Sequence, residues 1–145
     1  MSARLARIFL RPSSRTPTRE VQAAEAEVGT GLRDDHAGGG KRQVTLLSLE
    51  AWERACAELG QELCPSSRRA NLVLRGLDLS DSRGRRVRIG GALLEIAGET
   101  KPCELLDDVR LGLSAVLQSA WRGGAYARVL EAGPLRVGDE VELLD

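Results

Sequence analysis

Cys103 is the residue whose type and neighbours most directly indicate chemistry in this sequence. It follows Lys101 and Pro102, at the predicted end of a strand and just before a segment predicted to be helical. Amide dipoles at the start of a helix, together with the charge of Lys101, lower the pKa of a thiol and favour the reactive thiolate. A free cysteine is also commonly a small buried hydrophobe. Spacing alone therefore does not decide whether Cys103 is a reactive thiol or a core residue.

The other cysteines and the single histidine are the residues that a competing site would use. Cys56 falls on the apolar face of a predicted helix and is expected in the core. Cys64 precedes Pro65 in a polar loop, where either role is open. A zinc site requires closely spaced Cys and His ligands. Because His36 is alone and the cysteines are widely spaced, a structural zinc site is not expected.

Glycine-rich residues 29–42 invite a nucleotide-binding interpretation that their spacing rejects. A phosphate-binding loop requires a glycine five positions before Gly40 and a serine or threonine after Lys41. Asp35 and Arg42 occupy those positions. Glycine permits backbone conformations that other residues avoid, so we predict a long functional loop here rather than a strand.

Length, charge and cysteine content limit the class of protein. The 145-residue chain carries 21 basic and 21 acidic residues, so it lacks the bulk positive charge typical of nucleic-acid binders. No segment resembles a membrane span or a secretory signal, and three cysteines without framework spacing fit a reducing compartment. We expect one cytoplasmic domain over residues 1–145 that binds neither nucleic acid nor membrane. The oligomeric state stays open.

Short strand signals dominate the chain. The strand-like segments are residues 4–11, 20–28, 43–48, 70–75, 86–89, 92–97, 125–131 and 140–144. The clearest helix follows the predicted N-cap Ser48 and stops at Gly60, because apolar residues between them recur on one face. Residues 105–119 are predicted to be mostly helical, although Gly112 weakens the pattern. These signals indicate a mainly β protein, a β-barrel with one or two helical insertions.

An ordered set of motifs resembles the MOSC domain, named after the C-terminal part of molybdenum cofactor sulfurase. The matching segments are residues 31–38 (GLRDDHAG), 42–46 (RQVTL), 69–72 (RANL), 86–90 (RVRIG), 94–96 (LEI), 101–103 (KPC) and 123–139. The cysteine of the family pattern falls on Cys103. The matches run almost from end to end, so the ordered set is fairly specific although no single motif is decisive. The resemblance implies a MOSC-type β-barrel.

The chain departs from the family pattern in features that concern its partners. Residues 81–84 (DSRG) stand where the family usually has a glycine–aspartate pair. The chain resembles the bare domain, without the extra N-terminal domain, the ferredoxin-like tail or the desulfurase domain that binds pyridoxal phosphate in the sulfurases. A sulfur donor such as a cysteine desulfurase, or an electron-transfer protein, is therefore expected to be a separate partner.

The resemblance also implies a site for the molybdenum cofactor (molybdopterin). Cys103 would be a metal ligand or the carrier of a persulfide sulfur. His36 would carry a proton or hydrogen-bond in the pocket, with a loop histidine packed against the barrel as the alternative. The residues expected to bind the cofactor are Arg42, Arg69, Asn71, Lys101, Arg122, Gly123, Gly124 and Arg128.

Each type of residue in this set would contact a different part of the cofactor. Guanidinium groups would hold the pterin phosphate, and the Asn71 amide would face the pterin edge. Glycines at 38–40 and 123–124 would let the backbone approach a flat ligand. The structural alternatives are that Asn71 closes a strand end and that the glycine pair at 123–124 turns the chain.

Three functions remain open from the sequence. The first is a molybdenum-cofactor protein that carries sulfur or acts as an oxidoreductase, including a reductase of N-hydroxylated compounds that needs separate electron donors. The second is a non-catalytic module that presents sulfur or cofactor to a partner. The third is a thiol-dependent enzyme or redox sensor unrelated to molybdenum. No residue selects a substrate, and the sequence leaves open whether the protein is an enzyme.

Overall fold

Short β-strands form most of the structure, a computed structural model that describes residues 3–13, 15–36 and 42–144. In chain order the strands are β1 (Ala3–Leu10), β2 (Arg19–Val21), β3 (Ala23–Glu27), β4 (Gly31–Leu32), β5 (Val44–Ser48), β6 (Leu72–Arg75), β7 (Arg86–Ile89), β8 (Ala92–Glu99), β9 (Ala125–Glu131), β10 (Gly133–Arg136) and β11 (Glu140–Leu143). The α-helices are α1 (Leu49–Leu59) and α2 (Leu113–Val116), and 3-10 turns cover Pro65–Arg68 and Glu104–Asp108.

The sheet closes on itself to form a barrel. Within the described residues, seven strands form a ring in the order β1–β6–β5–β9–β8–β7–β11. Pairing of Ala3 with Val141 and of Arg4 with Glu140 joins β11 back to β1. Strand β2 pairs with the later half of β1, while β10, β3 and β4 form a small separate sheet. The predicted mainly β barrel with one or two helical insertions is confirmed.

Alternation of side chains along the strands separates two apolar cores. In β6, Leu72 and Leu74 belong to the core inside the barrel, whereas Val73 between them belongs to a core beneath α1 and α2. In β5, Leu46 and Leu47 divide in the same way. Because successive residues of a strand face opposite sides, these two strands join the barrel to its helical layer.

Helix α1 forms as the sequence predicts. The Ser48 hydroxyl accepts a hydrogen bond from the Ala51 amide at 3.3 Å, and Gly60 ends the helix with φ 72°. Trp52 and Cys56 are buried in the core beneath α1 and α2, which confirms the prediction that Cys56 is a core residue. The helix supplies the crossover that the parallel pair β5 and β6 requires. No helix in the described ranges is long and apolar enough to cross a membrane.

The prediction of a mostly helical segment over residues 105–119 is wrong. The chain forms the 3-10 turn Glu104–Asp108 and then the short helix α2, because Gly112 adopts φ 94° between them. Val109, placed on the apolar side by the prediction, is 47% exposed. The sequence patterns also missed β4 and β10, and residues 20–28 form two strands, β2 and β3, rather than one.

Two glycines with nearly the same φ provide a test of the barrel packing. Gly124 has φ 99° and Gly138 has φ 98°, but a Cβ on Gly124 would collide with the carbonyl oxygen of Leu46, whereas a Cβ on Gly138 meets nothing within 4 Å. Gly138→Ala should lower the free energy of unfolding by about 1–2 kcal/mol through its left-handed backbone alone. Gly124→Ala should cost roughly 1–3 kcal/mol more. Urea denaturation measures both, and equal losses would contradict this packing.

Candidate functional site

A cavity beside Cys103 forms where β8 ends and where β6 and β9 begin. Its volume is about 560 Å³, within the range of small-molecule sites. Cys103 is exposed and lines the cavity together with residues that include Arg42, Arg68, Arg69, Thr100 and Leu105. The cavity therefore combines a thiol with positive charge.

Cys103 itself lies in extended backbone just before the turn Glu104–Asp108. Its φ is −119° and its ψ is 166°, and its carbonyl oxygen accepts a hydrogen bond from the Leu106 amide at 3.1 Å. The helix expected after Cys103 is replaced by this five-residue 3-10 turn. The sequence-based argument from a helix dipole therefore does not apply, and the positive charge beside the thiol comes from arginines instead.

Arg68, which the sequence patterns did not single out, joins the walls of the cavity. Its Nε donates to the Gly123 carbonyl at 2.9 Å and its Nη2 donates to the Thr100 carbonyl at 3.1 Å. Burial lowers the pKa of the Arg68 guanidinium; the nearby charge of Arg42 acts in the same direction, while Cys103 opposes both. An arginine remains protonated despite such effects. Arg68 thus places a fixed positive charge near Cys103.

The other arginines of the cavity are oriented by local structure. Arg42 lies over the ring of Tyr126, with its Cζ 5.1 Å from the ring centroid, an arrangement that favours a cation–π interaction. Arg69 adopts φ 64° and caps the turn Pro65–Arg68. Asp108 also lines the cavity, so its charge is mixed rather than purely positive. Guanidinium groups can bind an anion such as a phosphate through paired hydrogen bonds.

Thr100 leaves one buried hydroxyl without a partner at this cavity. Its Oγ1 is inaccessible and makes no hydrogen bond to any described residue, and Thr100 lines the cavity. Buried polar atoms in native proteins are nearly always hydrogen-bonded to protein, water or a ligand. The sequence patterns did not single out Thr100, whose hydroxyl is a hydrogen-bonding group without a described partner beside this cavity.

His36 lies in a neighbouring cavity of about 240 Å³ that shares Thr45, Arg69 and Ala70 with the Cys103 cavity. Its Nδ1 is 2.9 Å from the carbonyl oxygen of Arg11, so the ring donates a hydrogen bond there. This contact packs the histidine loop against the end of β1. The structure therefore places His36 near the Cys103 cavity but not among the residues described in its lining.

Asn71 lies in the same smaller cavity, and its amide is occupied by structural contacts. Its Oδ1 accepts hydrogen bonds from the Thr45 backbone amide at 3.0 Å and from the Thr45 hydroxyl at 3.1 Å, and its Nδ2 donates to the Phe9 carbonyl at 3.1 Å. Asn71 is only 6% exposed. These bonds join β1, β5 and the start of β6 and agree with the strand-end alternative for Asn71.

Gly123 and Gly124 bring protein segments close together. A Cβ on Gly123 would lie 2.6 Å from the Thr100 carbonyl oxygen, and a Cβ on Gly124 would collide with Leu46. Gly123 lines the Cys103 cavity and Gly124 does not. The close approach required here is between backbone segments of the protein itself. Residues 38–40, predicted to approach a flat ligand, and Lys41 lie outside the described residues.

The remaining predicted binding residues lie apart from the described lining of the Cys103 cavity. Arg122 pairs with Glu58 at 2.7 Å, and this hydrogen bond lowers the pKa of the Glu58 carboxyl group. Arg128 pairs with Glu95 at 2.7 Å on the barrel surface. Lys101 is exposed two residues before Cys103 and does not contribute to the lining.

Comparisons with known proteins agree with the fold. A family model described as MOSC domain matches residues 33–142. The crystal structure of the YuaD protein from Bacillus subtilis has a TM-score of 0.83 at 20% identity, covering 99% of this chain and 96% of that one. YiiM from Geobacillus stearothermophilus has a TM-score of 0.80 at 18% identity, covering 99% and 75%. YiiM from Escherichia coli has a TM-score of 0.74 at 20% identity, covering 98% and 70%. No curated protein matches the chain.

Removal of the Arg68 side chain tests whether it holds the cavity together. Arg68→Met leaves the carbonyls of Gly123 and Thr100 without their donor, which should lower the free energy of unfolding by about 1–3 kcal/mol. Arg128→Met, which breaks an exposed pair, should cost at most about 1 kcal/mol. Denaturant unfolding of the two variants, each compared with the parent protein, measures both. Equal stability losses would show that Arg68 has no special structural role.

Proposed function

Because the chain belongs to the MOSC domain family, we propose that the Cys103 cavity binds the molybdenum cofactor. In this proposal Cys103 is a soft sulfur ligand of the metal, and arginines hold the anionic part of the cofactor. The observation that carries the proposal is the meeting of an exposed thiol with Arg42, Arg68 and Arg69 around a cavity of about 560 Å³. A thiol and guanidinium groups together match a ligand with a soft metal and a phosphate.

The residues present fit this cofactor by their chemistry. The thiolate of Cys103 suits a soft metal, and a guanidinium binds phosphate through paired hydrogen bonds. The Thr100 hydroxyl, which has no partner in the described structure, supplies a further hydrogen-bonding group at the wall. When bound, the cofactor would supply two-electron redox chemistry at molybdenum.

Some residues would bind the cofactor, and others would position the walls of the cavity. Cys103 would contact the metal, while Arg42 and Arg69 would hold the phosphate. Arg68 would position Thr100 and Gly123, because its guanidinium donates hydrogen bonds to the carbonyl oxygens of both residues. His36 would act from the neighbouring cavity, where its Nδ1 donates to the Arg11 carbonyl and its Nε2 would be the nitrogen that takes up and returns a proton.

A second candidate function, sulfur carriage on Cys103, is supported by the exposure of this thiol. The thiolate would attack the outer sulfur of a donor persulfide, R–S–SH. The donor S–S bond breaks, a new S–S bond forms on Cys103, and the donor leaves as a thiolate that takes a proton from solvent. Cys103 then holds a persulfide, and no additional oxidant is needed. A cysteine desulfurase is a donor of the required chemistry.

Exposed apolar residues beside Cys103 give such a donor a surface to contact. Leu105 is 74% exposed, Leu111 is 75% exposed and Val109 is 47% exposed, all within the segment that follows Cys103. Contiguous exposed apolar patches commonly mark sites of protein interaction, and we infer that these three residues contribute to one. The same surface would serve a module that presents sulfur or cofactor to a partner without catalysis, and the absence of turnover would distinguish that module from an enzyme.

Cofactor retention tests the first proposal. Protein expressed in a molybdate-supplied host should contain molybdenum and pterin, measured by metal analysis and by the fluorescence of the oxidised pterin. The Arg42→Gln/Arg69→Gln double variant should bind the cofactor at least about tenfold more weakly, because charge-assisted hydrogen bonds are worth about 1.5–3 kcal/mol.

The matched control is the Arg122→Gln/Arg128→Gln double variant, which removes two arginines apart from the cavity lining. It should keep the parental cofactor content. Absence of molybdenum and pterin from the parent protein, or equal loss in both double variants, would contradict the proposal. Circular dichroism spectra would verify that each variant is folded.

Persulfide transfer tests the second candidate. With a cysteine desulfurase and cysteine, the Cys103 peptide should gain one sulfur atom in mass spectrometry, and Cys103→Ser should show no gain there. Leu111→Asp should slow transfer from the enzyme but leave transfer from a small-molecule persulfide unchanged, because Leu111 is exposed and is not among the described lining residues of the Cys103 cavity. Equal slowing with both donors would contradict a docking role for Leu111.

A further inference from the structure

Tyr126 in β9 lies on the outer face of the barrel, between two neighbouring strands. The two residues that flank it in β9 belong to the core inside the barrel, so the Tyr126 side chain lies on the opposite face of the sheet. The strand register places it opposite Thr45 of β5 and opposite Gly98 of β8. Because Thr45 lines the Cys103 cavity, Tyr126 lies next to the wall of that cavity.

Gly98 leaves the space in which the Tyr126 ring lies. Gly98 is buried, and a Cβ there would lie 2.7 Å from the Tyr126 Oη, 2.9 Å from its Cζ and 3.0 Å from its Cε1. These distances are far shorter than the favourable separation of nonbonded carbon atoms, about 3.5–4.0 Å. Gly98 is not among the residues with a left-handed backbone. The ring, and not the backbone angle, is therefore the reason that a glycine is required here.

The Tyr126 ring contacts Arg42, which precedes β5. The Arg42 Cζ lies 5.1 Å from the ring centroid, within the range of a cation–π interaction. Arg42 lines the Cys103 cavity, whereas Tyr126 is not in its described lining. Among the described residues no carboxylate pairs with the exposed Arg42. The ring face is therefore the contact that restrains this guanidinium at the cavity.

The cavity brings Arg42 close to a second cation. Burial lowers the pKa of the Arg68 guanidinium, and the nearby charge of Arg42 acts in the same direction, so the two cations repel each other. The attraction of Arg42 to the ring offsets part of this repulsion, and an anion bound between the two guanidinium groups would offset more of it. An anion that binds Arg42 would displace no carboxylate of the described structure.

We propose that Tyr126 is a positioning residue that holds the Arg42 guanidinium ready for an anion in the Cys103 cavity, and that Gly98 makes room for its ring. This inference rests on the proposed function, in which Arg42 holds the phosphate of the cofactor. A guanidinium that is restrained before binding loses less conformational freedom when the anion arrives. The Tyr126 hydroxyl makes no hydrogen bond to any described residue, so the face of the ring, and not the hydroxyl, supplies the effect.

The position of Arg42 is measured by NMR in the protein without ligand. The Nε–H signal of Arg42, assigned by its absence from the spectrum of Arg42→Gln, should carry a ring-current shift from Tyr126. Tyr126→Phe should keep this shift, Tyr126→Leu should remove it, and Gly98→Ala should alter it because the added methyl group displaces the ring. An Arg42 signal that is the same in the parent and in Tyr126→Leu would overturn the proposal.

The consequence for binding is measured by titration with inorganic phosphate, followed through the backbone amide signal of Gly123 in the cavity lining. Tyr126→Leu should weaken phosphate binding about two- to fivefold, and the matched control Tyr126→Phe should bind as the parent does. In an Arg42→Gln background Tyr126→Leu should cause no further loss, because its effect passes through Arg42. No response of the parent to phosphate, equal losses in the Phe and Leu variants, or a further loss in that background would each refute the role of Tyr126.

The positioning role and the proposed function fail in different experiments. A parent protein that retains molybdenum and pterin but shows no ring-current shift on Arg42 would remove the role of Tyr126 and leave cofactor binding in place. A parent protein whose phosphate binding depends on Tyr126, but which holds no cofactor, would support the positioning role and contradict the proposed function.

Discussion

Closure of the barrel between β1 and β11 is the constraint on which the rest of the structure depends. The first strand of the described chain pairs with the last through Ala3 and Val141, and backbone bonds between Leu5 and residues 138–139 extend this contact. A closed sheet satisfies backbone groups that would otherwise form an exposed edge. Closure also fixes where β6, β8 and β9 meet, and the cavity beside Cys103 lies at that meeting point.

Arg68 extends this constraint from the barrel to the candidate site. Its guanidinium connects the turn before β6 with the end of β8 and with the loop before β9. A single partly buried cation therefore supports the wall that holds Thr100 and contributes positive charge near Cys103. Structure and chemistry are coupled here, because the group that orders the wall also favours an anionic ligand.

The sequence predicted features that depend on nearby residues and missed those that depend on distant ones. Helix α1 follows from a local apolar repeat and from its Ser48 and Gly60 caps, and the structure reproduces it. The segment after Cys103 carries a similar repeat, but Gly112 interrupts it with a left-handed backbone. The role of Arg68 depends on carbonyls 32 and 55 positions away along the chain, which no local pattern encodes. Its one visible signal was the pair of adjacent arginines before β6.

The structure brings together only some of the predicted site residues. One cavity is lined by Cys103, Arg42, Arg69 and Gly123. The neighbouring cavity is lined by His36 and Asn71, together with Arg69. Arg122 and Arg128 instead pair with glutamates elsewhere.

If the Cys103 sulfur is a ligand of molybdenum, X-ray absorption at the molybdenum edge should detect it as a sulfur neighbour of the metal. The spectra of cofactor-loaded parent protein and of the Cys103→Ser variant would be compared after equal cofactor content has been established. The parent should have one more sulfur neighbour at the metal than the variant, because the exposed thiol at the cavity wall is replaced by a hard oxygen donor. Identical sulfur coordination in the two proteins would contradict it.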